Sequence, residues 1–522
     1  TSRRSHGFLI SIFFGRGTIR LSAFFIWRSK LKIEPIFSEF KQMAQKGNLI
    51  PVHQEFLADT ETPVSAYLKL KDDSYAYLLE SAEGGKHWGR YSFIGCVPYL
   101  RAISHDSYME IYEERKNKII TNVGNPLDVM RNLCAKYKPV SVNDLPPFQG
   151  GLVGFFNYDL VRKWEHLPHI SPADKNHPEA VFIACRHLIV FDHFTHIIKV
   201  VVFSHLEEDA DLKAAYDRAC QEVVQTTTKL QSPLPSVLKN GSLTLSDLEP
   251  NFSKIDFENA VCKAKNYIVA GDAIQVVLSQ KFSAAVSGED FALYRSLRSV
   301  NPSPYMFYLH FDDIKLIGAS PEILVRLTDG KIELRPIAGT RPRGATPEQD
   351  QTFEKDLMAD PKERAEHIML VDLGRNDVGK VAASGSVTVP RLMEIERYSH
   401  VMHIVSHIEG ILKPSKDCFD LFMSAFPAGT VSGAPKIRAM EIISELEPCA
   451  RGSYAGAVGY FGFNGNMDFC ITIRNITILK NRLSVQVGAG IVADSDPHKE
   501  YEETINKSMA LRRAVELTEK GL

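Results

Sequence analysis

Two short stretches of the chain carry carboxylates at a spacing that serves metal or proton chemistry. Asp360-Pro361-Lys362-Glu363-Arg364-Ala365-Glu366 sets Glu363 and Glu366 three residues apart, and Asp496-Pro497-His498-Lys499-Glu500-Tyr501-Glu502-Glu503 repeats the arrangement with Glu500 and Glu503. In each, Asp suits a helix cap and Pro suits the first turn. Residues three apart on a helix share a face, so two helix starts present four carboxylates. A hard cation such as magnesium takes oxygen ligands of this kind, usually one or two carboxylates completed by substrate and water. The alternative is plain capping. Glu363 follows Asp360 by three residues, as a capping-box glutamate does, and acids in a first turn complement the helix dipole. Spacing alone leaves both open.

Three loops of small residues accompany these helices: Pro336-Ile337-Ala338-Gly339-Thr340, Gly429-Thr430-Val431-Ser432-Gly433-Ala434-Pro435-Lys436 and Gly488-Ala489-Gly490-Ile491-Val492. Glycines let backbone N–H groups approach an anion closely. The stretch Gly429–Lys436 lacks the Gly-x4-Gly-Lys spacing of a nucleotide-binding loop, so a small anion such as a carboxylate fits better than a nucleotide. Arg474, in a run that reads as the strand Cys470–Leu479, has the fork to bind a carboxylate through two nitrogens. An ordinary surface arginine on an edge strand is the competing explanation.

The elements that position these residues are mixed. Alternating runs at Tyr75–Leu79 and His187–Val202 read as strands, with helical periodicity at Asp209–Gln225. The segment Thr226–Pro250 is rich in Thr, Ser, Pro and Leu and reads as a linker. Beyond it, Phe257, Val261, Ala264 and Ile268 recur at helical spacing and Gly271 closes the helix. The strand Ala273–Phe282 follows, with Ile274, Val276 and Leu278 on one face and Gln275 and Val277 on the other. Further strands are expected at Ile314–Gly318, Lys331–Ile337, Ala455–Gly462 and Leu483–Ile491. Helices are expected at Phe353–Ala359, Pro361–Leu373, Ala434–Leu446 and Pro497–Lys520. Irregular alternation of this kind is α+β rather than βαβ. The implied division is a leader at 1–33, an N-terminal half at 34–227, a linker at 228–252 and a C-terminal domain at 253–522.

Composition narrows the class. The chain has 522 residues, 44% hydrophobic and 24% charged, with 61 Lys+Arg against 63 Asp+Glu. This is ordinary for a globular protein, and the charge balance points to neither nucleic acid nor a membrane surface. The eight cysteines are scattered without a Cys-x-x-Cys pair, which fits a reducing cytoplasm better than a zinc cluster or a disulfide framework. Residues 1–33 hold seven basic residues, Arg3 to Lys32, and no acid; the apolar runs Phe8–Phe14 and Leu21–Trp27 are too short to span a bilayer. The segment resembles an organellar transit peptide, but no cleavage site follows, and an over-extended start is the preferred explanation.

Taken together, Asp272-Ala273-Ile274-Gln275-Val276-Val277-Leu278-Ser279, Pro336–Arg343, Lys362–Asp377, Gly429–Lys436 and Gly488–Thr504, in that order, resemble the chorismate-utilising enzymes. The resemblance runs from about Lys32 to Leu522. It implies an α+β fold with two β-sheets packed as a sandwich and helices outside. It implies chorismate as substrate and magnesium on Glu366 and Glu503, with Glu363 and Glu500 beside them. The metal would hold the ring carboxylate and draw electron density from the ring. Glu363 would be the general acid for the departing hydroxyl, a role that needs a raised pKa. Arg474 and Tyr454, with the Gly488–Ala489–Gly490 backbone, would bind the other carboxylate; Gly339, Thr340 and Thr430 would line the site, and His403 would assist the loss of pyruvate.

Two positions speak to the branch of the family. Members that add water carry a lysine where this chain has Gln275, a neutral side chain that cannot act as a base. Members of the para-aminobenzoate type carry a lysine where this chain has Ala338, which has no nucleophile. The resemblance is therefore to the branch that joins ammonia to chorismate and releases anthranilate and pyruvate, at the entry to tryptophan biosynthesis. Leu78-Leu79-Glu80-Ser81, Gly89–Gly95 and Asn301–Phe307 resemble the feedback-inhibitor segments of that branch. They imply a tryptophan site at Glu80, Ser81, Pro304, Tyr305 and Met306, bordered by Val458 and Tyr460. Taken alone, these segments read better as a strand end and a turn; their joint presence favours the inhibitor site.

His177-Pro178-Glu179 looks like the His–Glu pair of a glutamine amidotransferase, yet none of the cysteines has the Gly-x-Cys-x-Gly setting of its nucleophile. Ammonia is therefore expected from a separate amidotransferase subunit. A para-aminobenzoate-type synthase component and a non-catalytic tryptophan-binding homologue are the rival identities.

Overall fold

The computed structural model describes residues 32–71, 74–81, 89–114, 118–122, 124–168, 177–207, 209–234, 243–398 and 401–520. All but the last two residues of the basic leader lie outside these, as does part of the segment read as a linker.

Among the described residues every ladder between the strands is antiparallel, and the ladders assemble two sheets. The first runs from Leu49–Leu57 through Ile197–His205, the C-terminal part of Ala180–Asp192, the N-terminal part of Tyr91–Ser104, and Tyr75–Glu80. It continues through Tyr305–Phe311, Ile314–Ser320, Asn475–Leu479 and Arg482–Ile491 to Gln275–Gly288. The second begins with Tyr108–Glu113 beside the C-terminal part of Tyr91–Ser104. It passes through the N-terminal part of Ala180–Asp192 to Gly151–Phe156, Ala457–Gly462, Met467–Ile471 and Ile323–Thr328. Lys331–Leu334, Val401–Ile411 and Thr388–Arg397 complete it, with Ile337–Pro342 also paired to Val401–Ile411.

Tyr91–Ser104 and Ala180–Asp192 belong to both sheets. Their register slips between Pro98 and Leu100, beside Val97 at φ 58°, which is the bulge that lets a long strand bend from one sheet into the other. Because Tyr75–Glu80 pairs with Tyr305–Phe311 and Gly151–Phe156 with Ala457–Gly462, the stretches 34–227 and 253–522 share both sheets.

Period-two alternation sorts the strand Tyr305–Phe311 between two apolar layers. Phe307, Leu309 and Phe311 enter the cluster between the sheets, where Phe155 of the opposite sheet stacks on Phe311 with ring centroids 6.3 Å apart. Met306 and Tyr308 face the other way, into a cluster with helices Pro63–Leu70, Phe291–Val300 and Pro497–Glu519. Each Leu, Ile, Phe or Met buried in these layers contributes roughly 1.5–3 kcal/mol relative to exposure. Helices Lys254–Val269 and Lys436–Leu446 cover Val276, Leu278, Ala489 and Ile491.

Most expected elements are present with shifted ends, and three differ. The helix Leu212–Leu230 takes in the first residues assigned to the linker. His187–Val202 is a hairpin of Ala180–Asp192 and Ile197–His205 rather than one strand. The run Cys470–Leu479 is broken into Met467–Ile471 and Asn475–Leu479, and Arg474 sits in the break at φ 51°. The apolar pattern continues across the break, so alternation alone gave no sign of it.

Candidate active site

The two Asp-Pro helices form as their sequences dictate. Asp360 Oδ1 accepts from the amides of Lys362 at 3.0 Å and Glu363 at 3.3 Å, opening helix Pro361–Gly379, and Asp496 Oδ1 accepts from Lys499 N at 3.0 Å, opening Pro497–Glu519. Asp360 N donates to Asp356 O at 3.1 Å. The amide that a capping-box glutamate would need is thus taken, and Glu363 is free for other partners.

Those partners come from the strand Ile337–Pro342. Arg341 donates to Glu363 Oε1 at 3.0 Å, to Asp360 at 2.9 Å and to Asp356 at 2.7 Å, tying the helix start to the strand that carries Gly339 and Thr340. Gly339 adopts φ +68°, and a Cβ there would stand 3.2 Å from Glu363 Oε2; glycine alone takes this conformation freely. His403 lies opposite Thr340 in the register of the neighbouring strand. Its Nδ1 is 3.1 Å from Gly339 O and 2.9 Å from Thr340 Oγ1. A carbonyl oxygen only accepts, so Nδ1 carries the proton and Nε2 keeps a free lone pair. Burial pushes the imidazole pKa down, with Arg474 adding to the effect and the Gly339 carbonyl opposing it. His403 is therefore a neutral ring with a basic nitrogen to offer.

Gln275 Nε2 donates to Glu366 Oε1 at 3.0 Å. A Cβ at Gly490 would stand 2.8 Å from that same nitrogen, and one at Gly488 would stand 2.6 Å from the Tyr454 hydroxyl. Both positions need glycine so that side chains from neighbouring elements can lie against the strand. Lys507 donates to Gly488 O at 3.0 Å and pairs with Glu503 at 2.6 Å. Burial and then the charge of Glu503 raise the pKa of Glu500, which Ser495, Lys362 and Lys507 oppose. Lys362 belongs to the other helix, so the two helix starts lie within electrostatic reach of one another.

The expected residues are thus linked around one region: Gly339, Thr340, Glu363, Glu366 and His403 on one side, Gln275, Tyr454, Gly488, Ala489, Gly490, Glu500 and Glu503 on the other. The four glutamates are not gathered into a cage. Among the described residues, no three His, Cys, Asp or Glu side chains come together as a metal-binding group. Glu363 is held by Arg341, Glu366 by Gln275 and Glu503 by Lys507. As a donor set they are all oxygen, two from each of two neighbouring helix starts. That suits magnesium, which needs only one or two of them.

One residue of the region carried no signal in spacing. Glu322, between strands Ile314–Ser320 and Ile323–Thr328, is buried. Burial pushes its carboxyl up to about 8, against the opposing pull of Thr430 and Arg474 beside it. A carboxyl in that setting keeps its proton at neutral pH. Glu322 thus has the raised pKa that a general acid needs, and Glu363 lies in an ion pair with Arg341. Ser-Pro-Glu has no periodicity or cluster to mark it; only the fold shows its burial against two of the expected substrate ligands.

The expected inhibitor residues also converge. Glu80 is buried and accepts from Tyr294 at 2.8 Å and from Arg298 at 2.8 and 2.7 Å, and it lies opposite Met306 in the ladder. Tyr305 donates to Asp468 at 3.0 Å, and Asp468 is the register partner of Tyr460. Val458 pairs with Cys470 in the same ladder. Ser81 immediately follows the strand that ends at Glu80, and Pro304 immediately precedes the strand Tyr305–Phe311. Asp468 and its partner Arg326, 2.7 Å away, were not foreseen.

This sandwich of two sheets with helices outside is the fold of the chorismate-utilising class. The model of the family described as chorismate binding enzyme matches residues 76–513, and the chain belongs to that family. It is 47% identical over 491 residues to anthranilate synthase component 1 of Acetivibrio thermocellus, covering 92% of this chain and 98% of that protein. It is 48% identical over 505 residues to the protein of the same name from Synechocystis, covering 92% and 99%. Among solved structures, anthranilate synthase component I of Streptococcus pneumoniae superposes with a TM-score of 0.74 at 36% identity, covering 87% of this chain and 98% of that one. The menaquinone-specific isochorismate synthase of Escherichia coli shares the fold, with a TM-score of 0.68 at 20% identity. No helix among the described residues is long and apolar enough to cross a membrane.

Proposed function

We propose that this chain converts chorismate and ammonia to anthranilate and pyruvate, as the name shared by its relatives implies. The observation that carries the reading is Gln275. A neutral amide stands where a base would be needed to activate water, and its NH2 group is turned toward Glu366 at 3.0 Å. Its carbonyl oxygen is left as an acceptor for an N–H nucleophile. Ammonia needs no base to attack, and attack at C2 displaces the C4 hydroxyl.

Glu322, protonated at neutral pH, is the group suited to give its proton to the leaving hydroxyl. Arg474 and Tyr454, with the backbone at Gly488–Gly490, bind one substrate carboxylate. Glu366 and Glu503, with Glu363 and Glu500 beside them, would hold magnesium, which when bound supplies positive charge at the other carboxylate. His403 offers Nε2 to take the ring proton as pyruvate departs. The ammonia comes from glutamine through a separate amidotransferase subunit, and the reaction runs in the cytoplasm. Tryptophan binds at Glu80, Ser81, Pro304, Tyr305 and Met306, beside Val458 and Tyr460. That site lies where strands of the two halves pair, so occupancy biases how the halves meet.

The test is fluorescence of anthranilate from purified protein, chorismate and ammonium salts, with magnesium titrated and tryptophan added. Product that requires magnesium and falls with tryptophan supports the whole reading. Product indifferent to tryptophan removes the inhibitor site, and no product from folded, magnesium-loaded protein removes the reaction.

A further inference from the structure

A buried ion pair beside the active site is used by no step of the proposed reaction. Arg451 is 3% exposed and Glu447 6%. Arg451 donates to Glu447 through Nε at 3.0 Å and Nη2 at 2.6 Å, to Val431 O through Nη1 at 2.6 Å and to Val277 O through Nη2 at 2.6 Å. Glu447 accepts from the Ser279 amide at 2.8 Å and hydroxyl at 2.9 Å. The guanidinium lies over the rings of Tyr158 at 4.6 Å and Tyr454 at 5.6 Å.

Each partner neighbours a residue of the site. Val431 follows Thr430, Val277 and Ser279 continue the strand from Gln275, and Tyr454 lies three residues beyond Arg451 itself. A buried charge pair is a weak source of stability, because desolvation offsets most of its attraction. Arginine's planar fork instead fixes the relative positions of several acceptors at once.

We propose that Arg451, held by Glu447, is a positioning residue for the substrate: its guanidinium sets the Thr430 turn, the Tyr454 ring and the Gln275 strand at the spacing that grips chorismate. The proposal rests on the chorismate reading above. Lysine at 451 keeps a positive charge beside Glu447, but a single nitrogen on a flexible stem cannot hold both carbonyls. Misplacement of a reacting group by about 1 Å costs on the order of a hundredfold.

The experiment uses full-length wild type, Arg451→Lys, Ser279→Ala and, as a control, Ile50→Ala, which opens a cavity in the apolar layer between the first sheet and its helices. Three quantities are read: melting temperature, kcat and KM for chorismate with ammonium, and calorimetric binding of chorismate with magnesium but without ammonium. Arg451→Lys is expected to lose about a hundredfold in kcat/KM and about tenfold in chorismate affinity. Ser279→Ala, which keeps the backbone amide to Glu447 but removes the hydroxyl that donates to Glu447 and accepts from Gln486 Nε2 at 2.8 Å, is expected to show a smaller loss of the same kind. Ile50→Ala is expected to melt earlier with both constants unchanged. The proposal is overturned if the Lys and Ala variants melt earlier yet bind and turn over chorismate as wild type does; if Arg451→Lys does not fold, Ser279→Ala decides. A wild type that neither binds nor converts chorismate overturns the functional reading and this proposal together, whereas active wild type with indifferent variants overturns this proposal alone.

Discussion

Replacing Glu322 by Gln separates a proton donor from a merely buried carboxyl. The side chain is out of water, and burial lifts it from an ordinary value near 4.5 to about 8. At about 1.4 kcal/mol per tenfold change, that discriminates against the charged form by on the order of 5 kcal/mol. The folded pKa lies above the unfolded one, so the stability linked to the proton is complete below about pH 4.5 and lost as pH rises to about 8. Glutamine has the same shape and no such dependence. Glu322→Gln should therefore melt close to wild type at pH 5 and well above it at pH 9. Activity should move the opposite way. Loss of a general acid costs about 10²–10⁴-fold in kcat, and wild-type kcat/KM, measured at a fixed concentration of free ammonia, should fall above about pH 8. Two assays suffice: thermal denaturation followed by circular dichroism across pH, and steady-state anthranilate fluorescence. A variant within tenfold of wild-type kcat, or a melting difference that does not widen with pH, refutes the assignment.

Other substitutions test the rest of the site. His403→Gln removes the free Nε2 and should let an aminated, pyruvate-bearing intermediate accumulate, visible by mass spectrometry; normal anthranilate yield argues against His403 as the base. Gly488→Ala places a methyl 2.6 Å from the Tyr454 hydroxyl and should raise KM for chorismate at a stability cost of about 1–3 kcal/mol; an unchanged KM would show that Tyr454 does not touch substrate. Glu503→Gln should move the magnesium titration of activity to higher concentration, and an unmoved curve would take Glu503 out of the metal site. Glu80→Ala should abolish inhibition by tryptophan while most activity without tryptophan remains; retained inhibition would place the inhibitor elsewhere.

What was legible in the sequence was mostly local. Asp-Pro followed by paired glutamates marks a helix start because capping and the proline dihedral act within four residues, and both helices begin where the signal falls. The small-residue loops were visible because close backbone approach demands glycine. Long-range consequences were not. No local pattern shows that Tyr75–Glu80 pairs with Tyr305–Phe311, or that Tyr91–Ser104 bends through both sheets. The break before Asn475 was hidden because the apolar residues on either side keep strand character, while the turn depends on Arg474 adopting a left-handed conformation. Glu322 was missed because its chemistry comes from burial, a property of the assembled sheets. The capping-box alternative for Glu363 was open in sequence and closed only by Asp360 N bonding to Asp356 O.

The most direct test of the central claim is product stoichiometry with isotopically labelled ammonium. Purified chain, magnesium and chorismate should yield anthranilate carrying the labelled nitrogen and pyruvate in equal amounts. A hydroxylated, nitrogen-free product, or an aminated product formed without pyruvate, would contradict the account and move the chain to another branch of the family.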